Sequence, residues 1–161
     1  MIADRFLARV DRELAFEFFW QFSAFECALK RAGYLRKDKE YADADWEAFG
    51  AKLSGKFGEI QDQTFTAALE FLELAPPRRQ VVRDGRLGWK VLSRSPEDTR
   101  ETWAIRLVKT IRNNLFHGGK YPDGPIEEVG RDAQLLRAAL AVLEVCSELE
   151  KEVHRHLENV T

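Results

Sequence analysis

The stretch SPEDTRETWAIRLVKTIRNNLFHGG, Ser95 to Gly119, decides the fold class, because its apolar residues recur at a helical rather than a strand period. With about 100° of rotation per residue and Arg112 set at 0°, Leu107, Ile111, Ala104, Leu115 and Val108 fall between about 220° and 320°. On the same wheel Ile105 and Phe116 lie near about 20° and 40°. That arc predicts one core-facing side. Ser95 at the N-cap, Pro96 in the first turn and the acids Glu97 and Asp98 against the helix dipole predict the start, and the helix is expected to run to about Phe116.

The same period extends outward from this stretch. From Ile2 to Gly33 the chain reads as one long helix with Phe18, Phe22, Phe25 and Leu29 in register and Gly33 as its stop. Six aromatics, Phe16, Phe18, Phe19, Trp20, Phe22 and Phe25, exceed what one apolar stripe holds. This helix is therefore expected to bury more than one face, either as a central core helix or at a dimer interface. A second helix is expected from Asp43 or Asp45, carrying Trp46, Phe49, Leu53 and Phe57, and a third from about Gln61, with Phe65, Leu69 and Leu72 inward and an end before Pro76-Pro77. A last helix, about Ile126 to Leu157, carries Leu135, Leu136, Leu140, Leu143 and Leu149 and reads as an antiparallel partner of its predecessor.

One segment breaks the helical pattern. RRQVVRDGRLGWKVLSRS, Arg78 to Ser95, sets Val81-Val82 and Trp89 to Leu92 around an Asp84-Gly85 turn signal, which predicts a short hairpin or irregular excursion. The fold class is thus all-α: a four- to five-helix bundle with a short basic hairpin or loop insertion before the 95–116 helix, forming a single domain over residues 1–161.

Composition narrows the function classes. With 161 residues, 45% of them hydrophobic, the chain supports one packed core. No window reaches the roughly 18 to 20 apolar residues of a membrane span, and MIADRFLARVDREL lacks the apolar block of a signal peptide, so a cytoplasmic location and no membrane partner are expected. Cys27 and Cys146 form neither a disulfide framework nor a zinc signature, and both are expected to be reduced and buried. His154 and His156 make an H-x-H without a third ligand, so no metal or cofactor is expected. The formal net charge of −2 gives no overall pull on a polyanion. Locally, Arg78, Arg79, Arg83, Arg86, Lys90 and Arg94 face the single acid Asp84, an excess of five. These are either a solvated basic loop or a local contact for nucleic acid, with Arg78, Arg79, Arg83, Arg86 and Lys90 as the RNA-binding candidates.

The polar end of the 95–116 helix is the other candidate. Arg112 sits on the wheel between Val108 and Ile105, at the edge of the buried face, where a guanidinium has to be hydrogen-bonded or ion-paired. Asn113 and His117 are an i, i+4 pair, stacked one turn apart, while Asn114 points away. His117 comes at the helix C-terminus, where the dipole favours a cation, and Gly118 suits a left-handed cap. Spacing alone favours an ordinary helix cap over a site.

IRNNLFHG resembles the Arg-x4-His signature of the HEPN superfamily in its Arg-Asn-x3-His form, here Arg112, Asn113 and His117. FSAFECALKRAGY, on the first helix, is similar to a first-helix motif of one bacterial branch of that superfamily, and the order of helices agrees over most of the chain. The resemblance implies a metal-independent endoribonuclease acting as a homodimer whose two motifs meet across the interface, often a toxin or antiviral defence effector with an antitoxin or regulatory partner. His117 would be the general acid and base and Arg112 the holder of the scissile phosphate, with Asn113 orienting either. Glu26 is expected either to pair with Lys30 on the helix surface or to fix Arg112. Lys120 and Tyr121, just past the motif, are candidates for phosphate or base contact or an exposed turn. The competing readings are a non-catalytic nucleotide- or partner-binding module of the same fold, and a structural helical adaptor.

Overall fold

A computed structural model describes residues 11–117 and 130–159. The expected beginning of the first helix at Ile2, the Gly118 cap, Lys120, Tyr121 and the beginning of the last helix at Ile126 lie outside the described residues. Among the described residues six α-helices and one two-stranded antiparallel sheet follow in the order α1 (Arg12–Arg31), α2 (Trp46–Lys52), α3 (Gln63–Leu74), β1 (Arg79–Arg83), β2 (Arg86–Lys90), α4 (Arg100–Phe116), α5 (Arg131–Leu149) and α6 (Lys151–Glu158). The architecture is mostly helical with a small sheet, rather than purely helical. Among the described residues no helix is long and apolar enough to cross a membrane.

Local chemistry explains most boundaries. Asp11 caps α1 by accepting from the Leu14 N–H, and Gly33, at φ 89°, closes it: its N–H reaches the Lys30 carbonyl at 3.2 Å and that of Tyr34 reaches Leu29 at 2.9 Å. Asp45 caps α2 and Asp62 caps α3, each with its carboxylate on the N–H three residues on. Phe57 lies in a separate 3₁₀ turn, Lys56–Glu59, not in α2. Asp84 and Gly85, at φ 51° and 71°, make the two-residue turn between β1 and β2.

Three expectations about helices need correction. The motif helix starts four residues later than Ser95, because Thr99 takes the cap and accepts from the Thr102 N–H at 3.1 Å. Ser95 to Asp98 forms its own turn instead, closed by the Asp98 carboxylate on the Ser95 N–H at 3.0 Å and by Arg106, whose two terminal nitrogens reach Asp98 at 2.6 and 2.9 Å. The last helix is two helices. Glu150, in extended backbone, caps α6 through the Val153 N–H, while Lys56 Nζ takes the Leu149 carbonyl at 2.7 Å and so satisfies an orphaned group at the end of α5. Finally, α1 buries only one stripe within the chain, Phe18, Phe22, Phe25, Ala28 and Leu29. Phe16 and Trp20 remain 67% and 58% exposed, and Phe19 is exposed beside them.

One apolar cluster joins all six helices, with α5 packed against α1, α3 and α4. Its centre is aromatic: Trp46 stacks on Phe22 and Phe25 at 4.8 and 5.4 Å, and Phe49 meets Phe25 edge-on. Glu101 is buried and accepts the Phe57 N–H at 3.0 Å, so a carboxylate on the first turn of α4 fixes the 3₁₀ turn before α3. Cys146 is buried as expected, and that burial, with a smaller push from Glu101, holds its thiol above the ordinary value; Cys27 is only half-buried.

Candidate functional site

The core stripe of α4, Leu107, Val108 and Ile111, is fully covered, and cover thins toward the C-terminus. Phe116, placed on the core-facing arc by its angle, is 45% exposed. Its ring turns instead onto Phe19 of α1, centroid to centroid 5.4 Å. The exposed aromatics of α1 and the end of α4 thereby make one surface.

Arg112 lies half-buried in that surface, as its wheel position requires, but not in the way a buried charge is usually met. Its guanidinium carbon stands 5.2 Å from the Phe116 ring centroid and 5.7 Å from that of Phe22, and one terminal nitrogen donates to Asn113 Oδ1 at 3.2 Å. Among the described residues it has no carboxylate partner. Two ring faces and one neutral oxygen hold the group in place without cancelling its charge. Such a guanidinium keeps its outward N–H groups for an anion, and its planar fork suits a phosphate.

Glu26 does neither of the two things expected of it. Its carboxylate accepts the Trp46 indole N–H at 3.3 Å, and Trp46 stacks on Phe22, so Glu26 reaches Arg112 only through two rings. Asn113 is exposed and its oxygen serves Arg112, while its backbone carbonyl accepts the His117 N–H at 2.8 Å. His117 takes the C-cap position with φ −100° and ψ 23° and is exposed. Among the described residues no side chain hydrogen-bonds its ring. Asn114 points away, as its angle implies, and acts on the hairpin instead. Its Nδ2 donates to the Arg78 carbonyl at 2.7 Å and pins the base of the hairpin to the last turn of α4.

Thus Arg112, Asn113 and His117 share one open helix end, and Glu26 stands behind them rather than among them. The basic candidates Arg78, Arg79, Arg83, Arg86 and Lys90 are all exposed on or next to the hairpin that Asn114 anchors. His154 and His156 have local partners, the first against the Ser147 carbonyl at 3.2 Å and the second beside Arg155 at 3.4 Å. Among the described residues no group of three or more His, Cys, Asp or Glu is placed to hold a metal ion.

Sequence reasoning missed the aromatic seat of Arg112. Phe116 was legible as an i, i+4 neighbour, but Phe22 reaches the guanidinium from another helix and left no local signal. Comparison of the chain with family models, with curated proteins and with solved structures gives no match.

Proposed function

We propose that this chain is a metal-independent endoribonuclease of HEPN type, a homodimer in which two copies of the α4 end form one cleft, built on a HEPN-like helical bundle with the basic hairpin as an insertion. The observation that carries the proposal is Arg112: a half-buried guanidinium, positioned by Phe22, Phe116 and Asn113, with no carboxylate on it among the described residues and His117 five residues on at the helix C-cap. In RNA cleavage the 2′-oxygen attacks phosphorus and the P–O5′ bond breaks, giving a 2′,3′-cyclic phosphate and a 5′-hydroxyl. One proton leaves the 2′-hydroxyl and one reaches the departing 5′-oxygen; imidazoles are suited to both transfers, and two are present when two copies meet. Charge accumulating on the phosphorane oxygens falls to Arg112. The exposed Phe16 and Phe19, joined ring to ring with Phe116, and the exposed Trp20 of the same helix supply apolar surface for the second copy.

His117→Ala and Arg112→Ala should each abolish RNA cleavage measured in EDTA, with the helical spectrum and the dimer retained. Cleavage unchanged by either substitution would sink the proposal. A second reading, a non-catalytic nucleotide- or partner-binding module, is favoured by one observation: the Asn113 oxygen serves Arg112, and no described side chain orients the His117 ring. Tight nucleotide binding without cleavage at any protein concentration would select that reading.

A further inference from the structure

The register of the hairpin sorts its side chains onto two faces. Residues directly opposite in an antiparallel ladder share a face, as do every second residue along a strand. Arg79 opposite Lys90 and Arg83 opposite Arg86 therefore stand on one face, with Val81 opposite Gly88 between them, while Gln80, Trp89, Val82 and Leu87 take the other. Each strand has five residues, so the two cation pairs are separated by about 13–14 Å along a ribbon of about 17 Å.

Like charges directly opposite one another destabilise a sheet, and a lone two-stranded ribbon has little stability to spare. Here two such pairs occur in succession. All four side chains are exposed, and among the described residues none has a carboxylate within ion-pairing distance. Gly88 adds a gap: a Cβ there would meet Arg83 Cδ at 3.7 Å and Val81 Cγ2 at 3.8 Å, ordinary contact, so packing does not demand a glycine. The Arg83 stem and Val81 lie over that position, so the aliphatic part of Arg83 packs along the ribbon while its charged end stays exposed. The segment Arg78 to Arg94 has an excess of five positive charges in a chain of net −2, so the remainder carries −7. A polyanion is attracted here and repelled by the rest of the surface.

We infer that the cationic face of the hairpin, whose base Asn114 ties to the last turn of α4, is a binding arm for single-stranded RNA. This rests on the ribonuclease reading for the choice of RNA over other polyanions. Single-stranded rather than duplex substrate follows from the narrow footprint. A flexible strand can follow one short ribbon face, whereas a rigid duplex engages phosphates over a broad front and would meet the acidic remainder. A single strand also lets the 2′-oxygen swing into line behind phosphorus, which an A-form helix prevents.

The test measures binding of a fluorescent single-stranded oligoribonucleotide of about 12 nucleotides to His117→Ala protein as salt is varied. On that background Arg79, Arg83, Arg86 and Lys90 are changed together to alanine. The hairpin variant should lose at least about tenfold in affinity at low salt, and its salt slope should fall by about 3, near 0.7 for each phosphate contact removed. A control with Lys37, Lys39, Lys52 and Lys151 changed to alanine removes equal charge from other exposed sites and should keep the slope. If the fourfold variant fails to fold, Arg83→Gln with Arg86→Gln should lower the slope by about half as much. An unchanged slope in the hairpin variant, an equal loss in the control, or tighter binding of a duplex of the same length overturns the inference. Should the wild-type chain bind through the hairpin yet cut nothing, the ribonuclease reading fails and the arm stands. If cleavage needs His117 but the same four changes, made in the wild-type chain, leave both binding and cutting as they were, the arm alone fails.

Discussion

Arg112 is a cation whose surroundings hold it without neutralising it. A buried or half-buried guanidinium is usually met by a carboxylate, and its charge is then spent inside the protein. Phe22, Phe116 and the Asn113 amide oxygen fix the plane of this one and leave the charge directed outward. Converting that oxygen to a charged one tests the distinction: Asn113→Asp should pair with Arg112 and weaken binding of single-stranded RNA by at least about tenfold, a like amount to removing one charge-assisted contact. Anisotropy titration on the His117→Ala background reads the effect, and unchanged affinity would mean that Arg112 does not meet phosphate. The two thiols offer a simpler check of burial at the same scale. Cys27 should react with a thiol reagent in the native protein while Cys146, buried and with its thiol held above the ordinary value, reacts only on unfolding. Native labelling of Cys146, located by peptide mass, would contradict the packing around α5.

At the scale of elements, α4 is fixed at both ends by groups outside it. Its beginning depends on Asp98, whose carboxyl is held below its ordinary value chiefly by the hydrogen bonds from Arg106, with partial burial opposing. A depressed carboxylate contributes stability above its unfolded value, 3.8, and loses that contribution as the pH falls through the lower folded value. Solvent reaches Arg106, so the contribution is about 0.5–1 kcal/mol after screening. Wild type should therefore lose about that much more stability than Asp98→Asn between about pH 6 and pH 2, in urea titrations at each pH. Parallel losses in the two proteins would show that the turn is not clamped as described.

Much of this was legible in the sequence, and the failures have identifiable causes. Asp45, one of the two caps that local rules offered, and Asp84-Gly85 act within three residues of themselves and were legible; Asp62 acts as locally but was not read as the cap of α3. Ser95 is by composition at least as good a cap as Thr99. Thr99 prevails because Arg106, two turns into the helix, draws Asp98 into the preceding turn. The break at Glu150 likewise depends on Lys56, far away in sequence. Arg112 is half-buried where its wheel angle put it and Asn114 turns away as its angle implies, whereas the role of Glu26 turned on Trp46, a cross-helix neighbour that no spacing rule names.

At the scale of the whole molecule, the surplus aromatics of α1 become intelligible. Among the described residues the core closes without Phe16, Phe19 and Trp20; Phe16 meets Phe19 and Phe19 meets Phe116 beside the candidate site, with Trp20 exposed on the same helix. An exposed apolar face costs solubility unless something covers it, and covering it with a second copy would bring two α4 ends together. Phe16→Glu with Trp20→Glu should convert a dimer to a monomer in sedimentation velocity while leaving the helical spectrum intact, and cleavage should fall with the dimer. A variant that remains dimeric would move the interface elsewhere.

The central claim is that the end of α4 cuts RNA, and one assay addresses it directly: cleavage of a labelled single-stranded RNA in EDTA by wild type and by His117→Ala, with the product ends identified by mass. The expected result is cleavage by wild type leaving 2′,3′-cyclic phosphate and 5′-hydroxyl ends, and a loss of at least about 100-fold, the range for a general acid or base, in a variant that keeps its fold and its oligomeric state. Equal cleavage by both proteins, or none by either, would contradict it.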